Sequence, residues 1–342
     1  MHIIHARNVN EAYVVGLRDL LARGKEEDSR AGKVITYPSP VCTTYVRPWE
    51  RVLFNKIRDA NPFFHLMEAL WMLNGRNDVK WISEFNSQFY KFSDNGKNFH
   101  GAYGTRWRRW FGQNETDQII KIIRLLKKDP NTRRAVLTMW DPVADLGKEG
   151  KDFPCNLTIL FRARAGRLDM TVCNRSNDII WGAYGANAVH MSMLQEYMAS
   201  MTGFRMGYYH QVSNDFHAYV DILDKLGSPD PAPEDPYDYG NVTTMPMVEN
   251  PKLWDEDLSC FIHEIKIKHY SNPFFGAVAE PMRQAWRAWK HKNYQEAHNQ
   301  IDFIMASDWR AACKEWLVRR QNNAANKTGR KRSQVAHDSP SS

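Results

Sequence analysis

The strongest constraint on how this chain folds is a period-two pattern near its middle. Leu157, Ile159 and Phe161 alternate along one segment, Ala165-Gly166 supplies a turn, and Leu168, Met170 and Val172 alternate back. Alternation on both sides of a turn reads as a β-hairpin with one buried face. The pattern also has a chemical consequence. Cys155, in FPCN, begins one strand and Arg175, in NRSND, ends the other, so antiparallel pairing brings a thiol and a guanidinium together at the open end.

With 342 residues, 43% hydrophobic and 12% aromatic, the chain can bury a sizeable core. Its five cysteines (Cys42, Cys155, Cys173, Cys260, Cys313) are odd in number, widely spaced and without a CxxC pair. That predicts a reducing compartment and no structural zinc, and leaves Cys155 free to react; no metal is expected at the site. No run approaches the ~18 apolar residues of a membrane span, and MHIIHARNVNEAY lacks a signal pattern, so a soluble cytoplasmic protein is expected. The net charge of +7 is concentrated around Arg319 to Arg332 and near the arginines of the candidate site, so nucleic acid is not the expected partner.

Helical spacing predicts helices over Asn10 to Arg23, Pro62 to Leu73, Asp117 to Lys127 and a long stretch beyond Ala188. Glu27 to Gly32 reads as a loop, Val34 to Thr44 as a strand pair broken by YPSP, Ala135 to Trp140 as a buried strand, and Tyr208 to Tyr219 as strand. An aromatic-rich loop is expected from Phe85 to Trp110 and a long excursion from Ser228 to Asn250. Glu280 to Arg320 carries one or two amphipathic helices, and residues 321–342 have the composition of a disordered tail. Residues 1–320 thus read as one catalytic domain whose helical extension begins near 225.

A thiol reacts as its thiolate, and Arg175 is the natural group to lower its pKa. Tandem Arg133-Arg134 and Arg175-Ser176, each at a strand end, suit the oxygens of a phosphomonoester, because guanidinium forks bind phosphate in pairs of hydrogen bonds. The local alternative pairs those arginines with Asp129 or Asp141. Glu68 inside an apolar helix must be paired, exposed at a site wall or held at a raised pKa that suits proton transfer. Asp178, ahead of Ile179-Ile180-Trp181, is a candidate helix cap or site carboxylate. His217 and Tyr219 alternate with their neighbours and can share one strand face.

These segments resemble the thymidylate synthase superfamily over roughly Arg30 to Tyr219. The anchors are SRAGK, MEALWMLNGRND, GAYGTRWRRW, DPNTRRAVLTMWDP, FPCN, NRSND and NDFHAY. The resemblance implies an α/β (α+β) layered fold around a twisted mixed sheet, and an obligate homodimer formed through that sheet. It makes Cys155 the nucleophile that adds to C6 of a pyrimidine, and it makes 5,10-methylenetetrahydrofolate the co-substrate. By the same likeness Arg30, Arg175 and Ser176, with Arg133 and Arg134 from a second subunit, hold the 5′-phosphate. Glu68 manages protons through water, Tyr103 assists proton abstraction at C5, Asp178 faces the folate and orders the base, and His217 with Tyr219 binds the sugar.

The departures point to one branch of that superfamily. Asn156 stands where methylating synthases carry histidine, and WGAYGANAVH replaces their Pro-Phe-Asn segment, with Asn187 reaching the base-reading position after a one-residue insertion. Phe89 and Phe92 replace two folate-flanking tryptophans, and the short closing peptide gives way to a different extension. A site that admits water yields a hydroxymethyl rather than a methyl group. The likeness is therefore to the nucleotide hydroxymethylases, and WGAYGANAVH looks most like the cytidylate 5-hydroxymethylase of mildiomycin biosynthesis, with Asn156 and Asn187 facing the cytosine of CMP or dCMP. An amide serves uracil as well, so dUMP, hydroxymethylated or methylated, stays open at this point. A basic RNA-binding protein on an enzyme-like scaffold is the alternative from another class.

Overall fold

The computed structural model describes residues 1–112, 115–226 and 235–337, with side chains through residue 322. Ten strands, β1 (His2–Ala6), β2 (Lys25–Ser29), β3 (Gly32–Thr36), β4 (Val41–Tyr45), β5 (Val136–Thr138), β6 (Asn156–Arg164), β7 (Arg167–Asn174), β8 (Asn177–Asp178), β9 (Arg205–Ser213) and β10 (Phe216–Tyr219), form two mixed sheets. The larger has the order β1-β4-β9-β7-β6-β5 and the smaller β2-β3-β10-β8.

The expected hairpin is β6 and β7, with Phe161 opposite Met170 and Ile159 opposite Val172. Ala165 and Gly166 both have positive φ, 47° and 71°, which suits a two-residue turn matched to strand twist. A β-bulge between Asn156 and Thr158 leaves Leu157 as the extra residue. Bulges re-aim side chains beside functional sites, and this one adjoins Cys155.

Register divides the large sheet into two faces. Ile159, Phe161, Met170, Val172 and Tyr209 point into the core and are almost fully buried. On the other face one row runs Ile3, Cys42, Val212, Cys173, Thr158, Thr138, and the next runs His5, Thr44, His210, Thr171, Leu160, Val136. Ile3, Leu160 and Val136 on this face are exposed.

Four strand expectations change. Glu27 to Gly32 is not a loop, because Lys25–Ser29 pairs with Gly32–Thr36 as a hairpin. Its strand KEEDS is exposed at every residue, so no apolar alternation announces it. The strands on either side of YPSP do not pair with each other; they enter different sheets, because proline cannot donate to a ladder. For the same reason of sheet membership Tyr208 to Tyr219 splits into β9 and β10. Ala135 to Trp140 contributes only the short edge strand β5, with Leu137 buried and Val136 exposed.

The helices are α1 (Val9–Arg23), α2 (Pro62–Leu73), α3 (Val79–Ile82), α4 (Tyr103–Arg108), α5 (Gln118–Lys128), α6 (Pro142–Asp145), α7 (Asn187–Thr202), α8 (Val220–Leu226), α9 (Trp254–Ile262), α10 (Glu280–Lys290), α11 (Tyr294–Asp302) and α12 (Ser307–His337). In α2, Asn61 caps the Phe64 N–H at 3.2 Å, Pro62 opens the first turn, and all twelve residues are buried. Helix α4 packs backbone to backbone on α2: a Cβ at Gly104 would meet the Met72 carbonyl oxygen at 2.2 Å. Before α7, residues Ile179–Ala186 form a π-helix in which Gly185 leaves helical angles (φ −111°, ψ −106°). It takes in the first six residues of WGAYGANAVH, where the family likeness implies a one-residue insertion, and a π-bulge is how a helix accommodates one.

Beyond residue 235 the chain folds back onto α2 and the segment that follows it. Trp286 and Trp316 pack on Phe63, and Arg319 pairs with Asp59 at 3.1 Å. The Trp286 indole N–H donates to the Glu84 carbonyl at 2.9 Å. Helix α12 runs on to His337, through most of the stretch whose composition suggests a disordered tail. Residues 228–234 of the Ser228 to Asn250 excursion, and 338–342, lie outside the described residues. Among the described residues no helix is long and apolar enough to cross a membrane.

Candidate active site

Cys155 sits where β6 begins, and the Arg175 N–H donates to its carbonyl at 2.9 Å, closing the open end of the hairpin. The Arg175 guanidinium donates to the Pro154 carbonyl at 3.0 Å, which holds Nη2 3.6 Å from the Cys155 sulfur. Beneath them the Tyr103 hydroxyl oxygen accepts the N–H groups of Cys155 (3.2 Å) and Asn156 (3.3 Å). Its own O–H is therefore left to donate elsewhere.

Burial raises the Cys155 thiol above the usual range; Arg175 and Arg30 pull it down, and Asp152 and Asp215 push it up. The expectation that Arg175 brings the thiol toward neutrality is corrected, because desolvation outweighs the two guanidiniums. Iodoacetamide alkylation of Cys155 should therefore keep accelerating beyond about pH 8.5, the ordinary thiol value. Arg175→Ala should slow it several-fold at any lower pH, and a rate that levels off near neutrality would contradict this. Burial, with Cys155 adding to it, also lifts the Tyr103 phenol far above its ordinary value, so it stays protonated.

Asp178 caps the π-helix that follows it and keeps one carboxylate oxygen unused by the cap. Its Oδ1 accepts the N–H groups of Ile180 (2.7 Å) and Trp181 (2.8 Å), while Oδ2 is buried without a partner. Burial raises its pKa, against the pull of those amides and of His217. Strand pairing sets His217 directly beside Asp178. Burial opposes the His217 cation, but Asp215, 3.1 Å from Nδ1, and Asp178 raise its pKa above the ordinary value. Tyr219 stacks edge-on to His217 at 5.5 Å, and burial together with Asp178 and Cys155 raises its phenol. Arg30, at the tip of the β2-β3 hairpin, reaches the Gly150 carbonyl at 3.3 Å. Ser176 lies in the bend between β7 and β8, next to Arg175.

Behind the thiol runs a chain of amides. Asn156, fully buried, lies 3.5 Å from Asn187 Oδ1; Asn187 Nδ2 donates to Asn177 at 3.1 Å; Asn177 donates to the Ser213 hydroxyl at 3.0 Å. Asn156 Oδ1 is buried without a partner. Glu68 is 8% exposed, with Oε2 3.1 Å from His190 Nε2. Phe89 packs between Phe64 (5.3 Å) and Phe99 (5.0 Å), and Phe92 is exposed beside it.

Arg133 and Arg134 stand apart from these residues. Both are exposed, and the local aspartates are engaged elsewhere: Asp129 accepts the Asn131 N–H at 3.0 Å, and Asp141 takes the Trp110 indole at 2.8 Å. Val136 pairs with Leu160, so Arg134 faces Arg162 at the far end of β6. That is roughly 20 Å from Cys155 at ~3.3 Å per residue.

Three buried groups escaped the sequence reading. Arg106 is fully buried and grips Asp145 through two nitrogens (2.8 and 2.9 Å), with Trp110 stacked at 3.7 Å. It lies inside GAYGTRWRRW, where three arginines in a row of aromatics gave no sign of which one turns inward. Arg58, 3% exposed, lies 4.5 Å over Trp181, and burial pulls its pKa down to about 10. His190 ends WGAYGANAVH, and its placement beside Glu68 depends on how that segment coils. Among the described residues no group of three or more His, Cys, Asp or Glu is arranged to hold a metal ion.

A cysteine under an arginine, a protonated tyrosine and a carboxylate with one free oxygen, all beside an amide pair, make a site for covalent chemistry on a polar ring. Residues 11–230 match the family described as Thymidylate synthase, and the chain belongs to that family, whose members couple a pyrimidine nucleotide to methylenetetrahydrofolate for one-carbon transfer. The chain is similar to a deoxyuridylate hydroxymethyltransferase of Pseudomonas phage M6, 47% identical over 336 residues, which cover 94% of this chain and 95% of that protein. It is also similar to a deoxyuridylate hydroxymethyltransferase of Bacillus phage SP01, 40% identical over 207 residues (58% of this chain, 54% of that protein). A thymidylate synthase of Symbiobacterium thermophilum is 28% identical over 240 residues (64% and 83%). The phage relatives are named for deoxyuridylate, where WGAYGANAVH had suggested cytidylate.

Proposed function

We propose that this chain transfers a one-carbon unit from 5,10-methylenetetrahydrofolate to C5 of dUMP, and that water then traps the methylene to give the 5-hydroxymethyl nucleotide. The observation that carries this reading is the 47% identity over nearly all of both chains with a protein named for that reaction. The cytosine reading gives way to uracil. The relatives' names carry that choice, since an amide at Asn187 can serve either base.

In this reading Cys155 adds to C6, and the elements around it divide the remaining tasks. Arg30, Arg175 and Ser176 bind the 5′-phosphate. Tyr103 donates a hydrogen bond and relays the C5 proton through water. Asp178 offers Oδ2 to the folate and helps order the base, with Asn156 and Asn187 at its polar edge and His217 and Tyr219 at the sugar 3′-hydroxyl. Phe89 and Phe92 form the folate wall, and Glu68 handles protons. Folate supplies the one-carbon unit and leaves reduced when water, not hydride, completes the reaction.

The open face of the large sheet supports a homodimer, with Arg133 and Arg134 completing the partner's phosphate site. Arg134 lies on that same face, two residues before Val136, and is far from its own Cys155. The test is mass spectrometry of nucleotides after incubation with methylenetetrahydrofolate and dUMP, dCMP, UMP or CMP in parallel. The reading expects a gain of CH₂O on dUMP. The same gain on CMP or dCMP would restore the cytosine reading, and a gain of CH₂ on dUMP would make the chain a methylating synthase.

A further inference from the structure

Hydroxymethyl transfer has a proton requirement that methyl transfer lacks: the water that attacks the methylene must lose a proton. A buried, titratable pair, Glu68 and His190, adjoins the amide chain behind the thiol. Asn187 and His190 are three residues apart on α7 and share a face. Asn187 lies against Asn156, the residue after the nucleophile. His190 is 3% exposed, and its Nε2 is 3.1 Å from Glu68 Oε2. The contact is close enough for an ion pair, yet its angles do not make a hydrogen bond, so Nε2 has no partner. A buried ring nitrogen left unpaired is costly, and one facing a carboxylate is placed to exchange a proton with it directly or through a water.

We propose that His190 is a positioning residue that, paired with Glu68, makes a two-site proton acceptor for the water that traps the methylene. The inference rests on the hydroxymethylase reading above. In the step itself, the water oxygen bonds to the exocyclic CH₂, and the C5=CH₂ electron pair moves into the ring as an enolate at O4. That pair then restores C5=C6 and expels the Cys155 thiolate. The water's proton goes to Glu68 and is shared with His190. No oxidant or reductant is needed.

The other titratable groups around the pair do not duplicate this role. His65, also on α2, has its ring centre 6.4 Å from that of His190, and burial pushes its pKa well down, so it stays neutral. Arg58 lies behind His65 and reinforces that state. The π-helix before α7 sets the register of His190, because its extra residue rotates all that follows it.

The test compares wild type with His190→Gln over about pH 5 to 8, the range in which an imidazole titrates. Glutamine keeps a polar side chain but cannot carry the proton. The variant should still form the covalent Cys155–nucleotide–folate adduct to the wild-type stoichiometry, which also shows that it folds. Its hydroxymethyl product rate should fall by about tenfold or more. The limb of the pH profile that belongs to water activation should disappear, and an added thiol should capture the waiting methylene. If His190→Gln does not fold, His190→Asn gives the same reading.

A variant that forms the adduct and keeps the wild-type rate and pH profile would overturn the proposal. So would a folded variant that cannot form the adduct, because His190 would then act before water arrives. Absence of any hydroxymethyl product from wild type would instead sink the parent reading.

Discussion

Cys155→Ala should abolish turnover, with a fall of roughly 10⁴-fold or more, because no neighbour can replace a nucleophile that bonds to the ring. Cys173, the next thiol in sequence, stands on the open face of the large sheet, directly opposite Thr158 on the next strand. The loss should be chemical and not structural: Cys155 lies outside the strand ladders, and alanine keeps the backbone bonds to Arg175 and Tyr103. The proposed dimer with shared phosphate sites adds a sharper expectation. Arg134→Ala should be strongly impaired by itself. In a heterodimer of the two variants, one site carries both lesions and the other carries neither. An equal, fully exchanged mixture should then regain about a quarter of wild-type activity, as two-fold symmetry dictates. Mass spectrometry of the product, with native mass spectrometry to confirm exchange, reads both results. Exchange without recovery would mean that Arg134 does not serve the partner's site.

Arg106→Leu is expected to be the most damaging substitution away from the nucleophile. Arg106 is fully buried, and removing it leaves the Asp145 side chain, itself at 0% exposure, without its guanidinium countercharge. Breaking a buried pair from one side costs about 3–5 kcal/mol. Burial opposes the Asp145 carboxylate, but Arg106, the Asp141 N–H and His100 outweigh it and hold its pKa below the ordinary value. A carboxylate with a depressed folded pKa contributes stability that is complete above its unfolded value and is lost as pH falls through the folded one. The wild-type contribution should therefore persist at neutral pH and fade only below about pH 4. Urea denaturation of both proteins at several pH values tests this, and the gap between them should close in acid. Because α4 carries Tyr103 as well as Arg106, surviving Arg106→Leu protein should also be slow. An unchanged urea midpoint would mean that Asp145 finds another partner.

The hairpin was legible because its information is local. Alternation of Ile159, Phe161, Met170 and Val172 with residues on the other face needs no distant contact to be recognised, and the turn at Ala165-Gly166 carries its own chemistry. Helices α2 and α5 were legible for the same reason, each having a capping residue, with a run of large apolar residues in α2 and an apolar period in α5. Strand β2 was not, since KEEDS has no apolar side and pairs only because β3 lies beside it. The prolines of YPSP marked a break, but which sheet each flanking strand would join depended on β9 and β10, more than 160 residues away.

The site divides along the same line. Sequence by itself determined the nucleophile candidate, the arginine opposite it, the carboxylates Glu68 and Asp178, and the family to which the chain belongs. It did so because those signals lie in short motifs and in the covalent spacing between them. Only the tertiary structure decided that the Cys155 thiol is held protonated, that Asp178 keeps one oxygen free, that Arg134 cannot reach its own thiol, and that His190 faces Glu68. Each of these depends on desolvation and on charges a few ångströms away, and those distances are set by contacts between segments far apart in the chain.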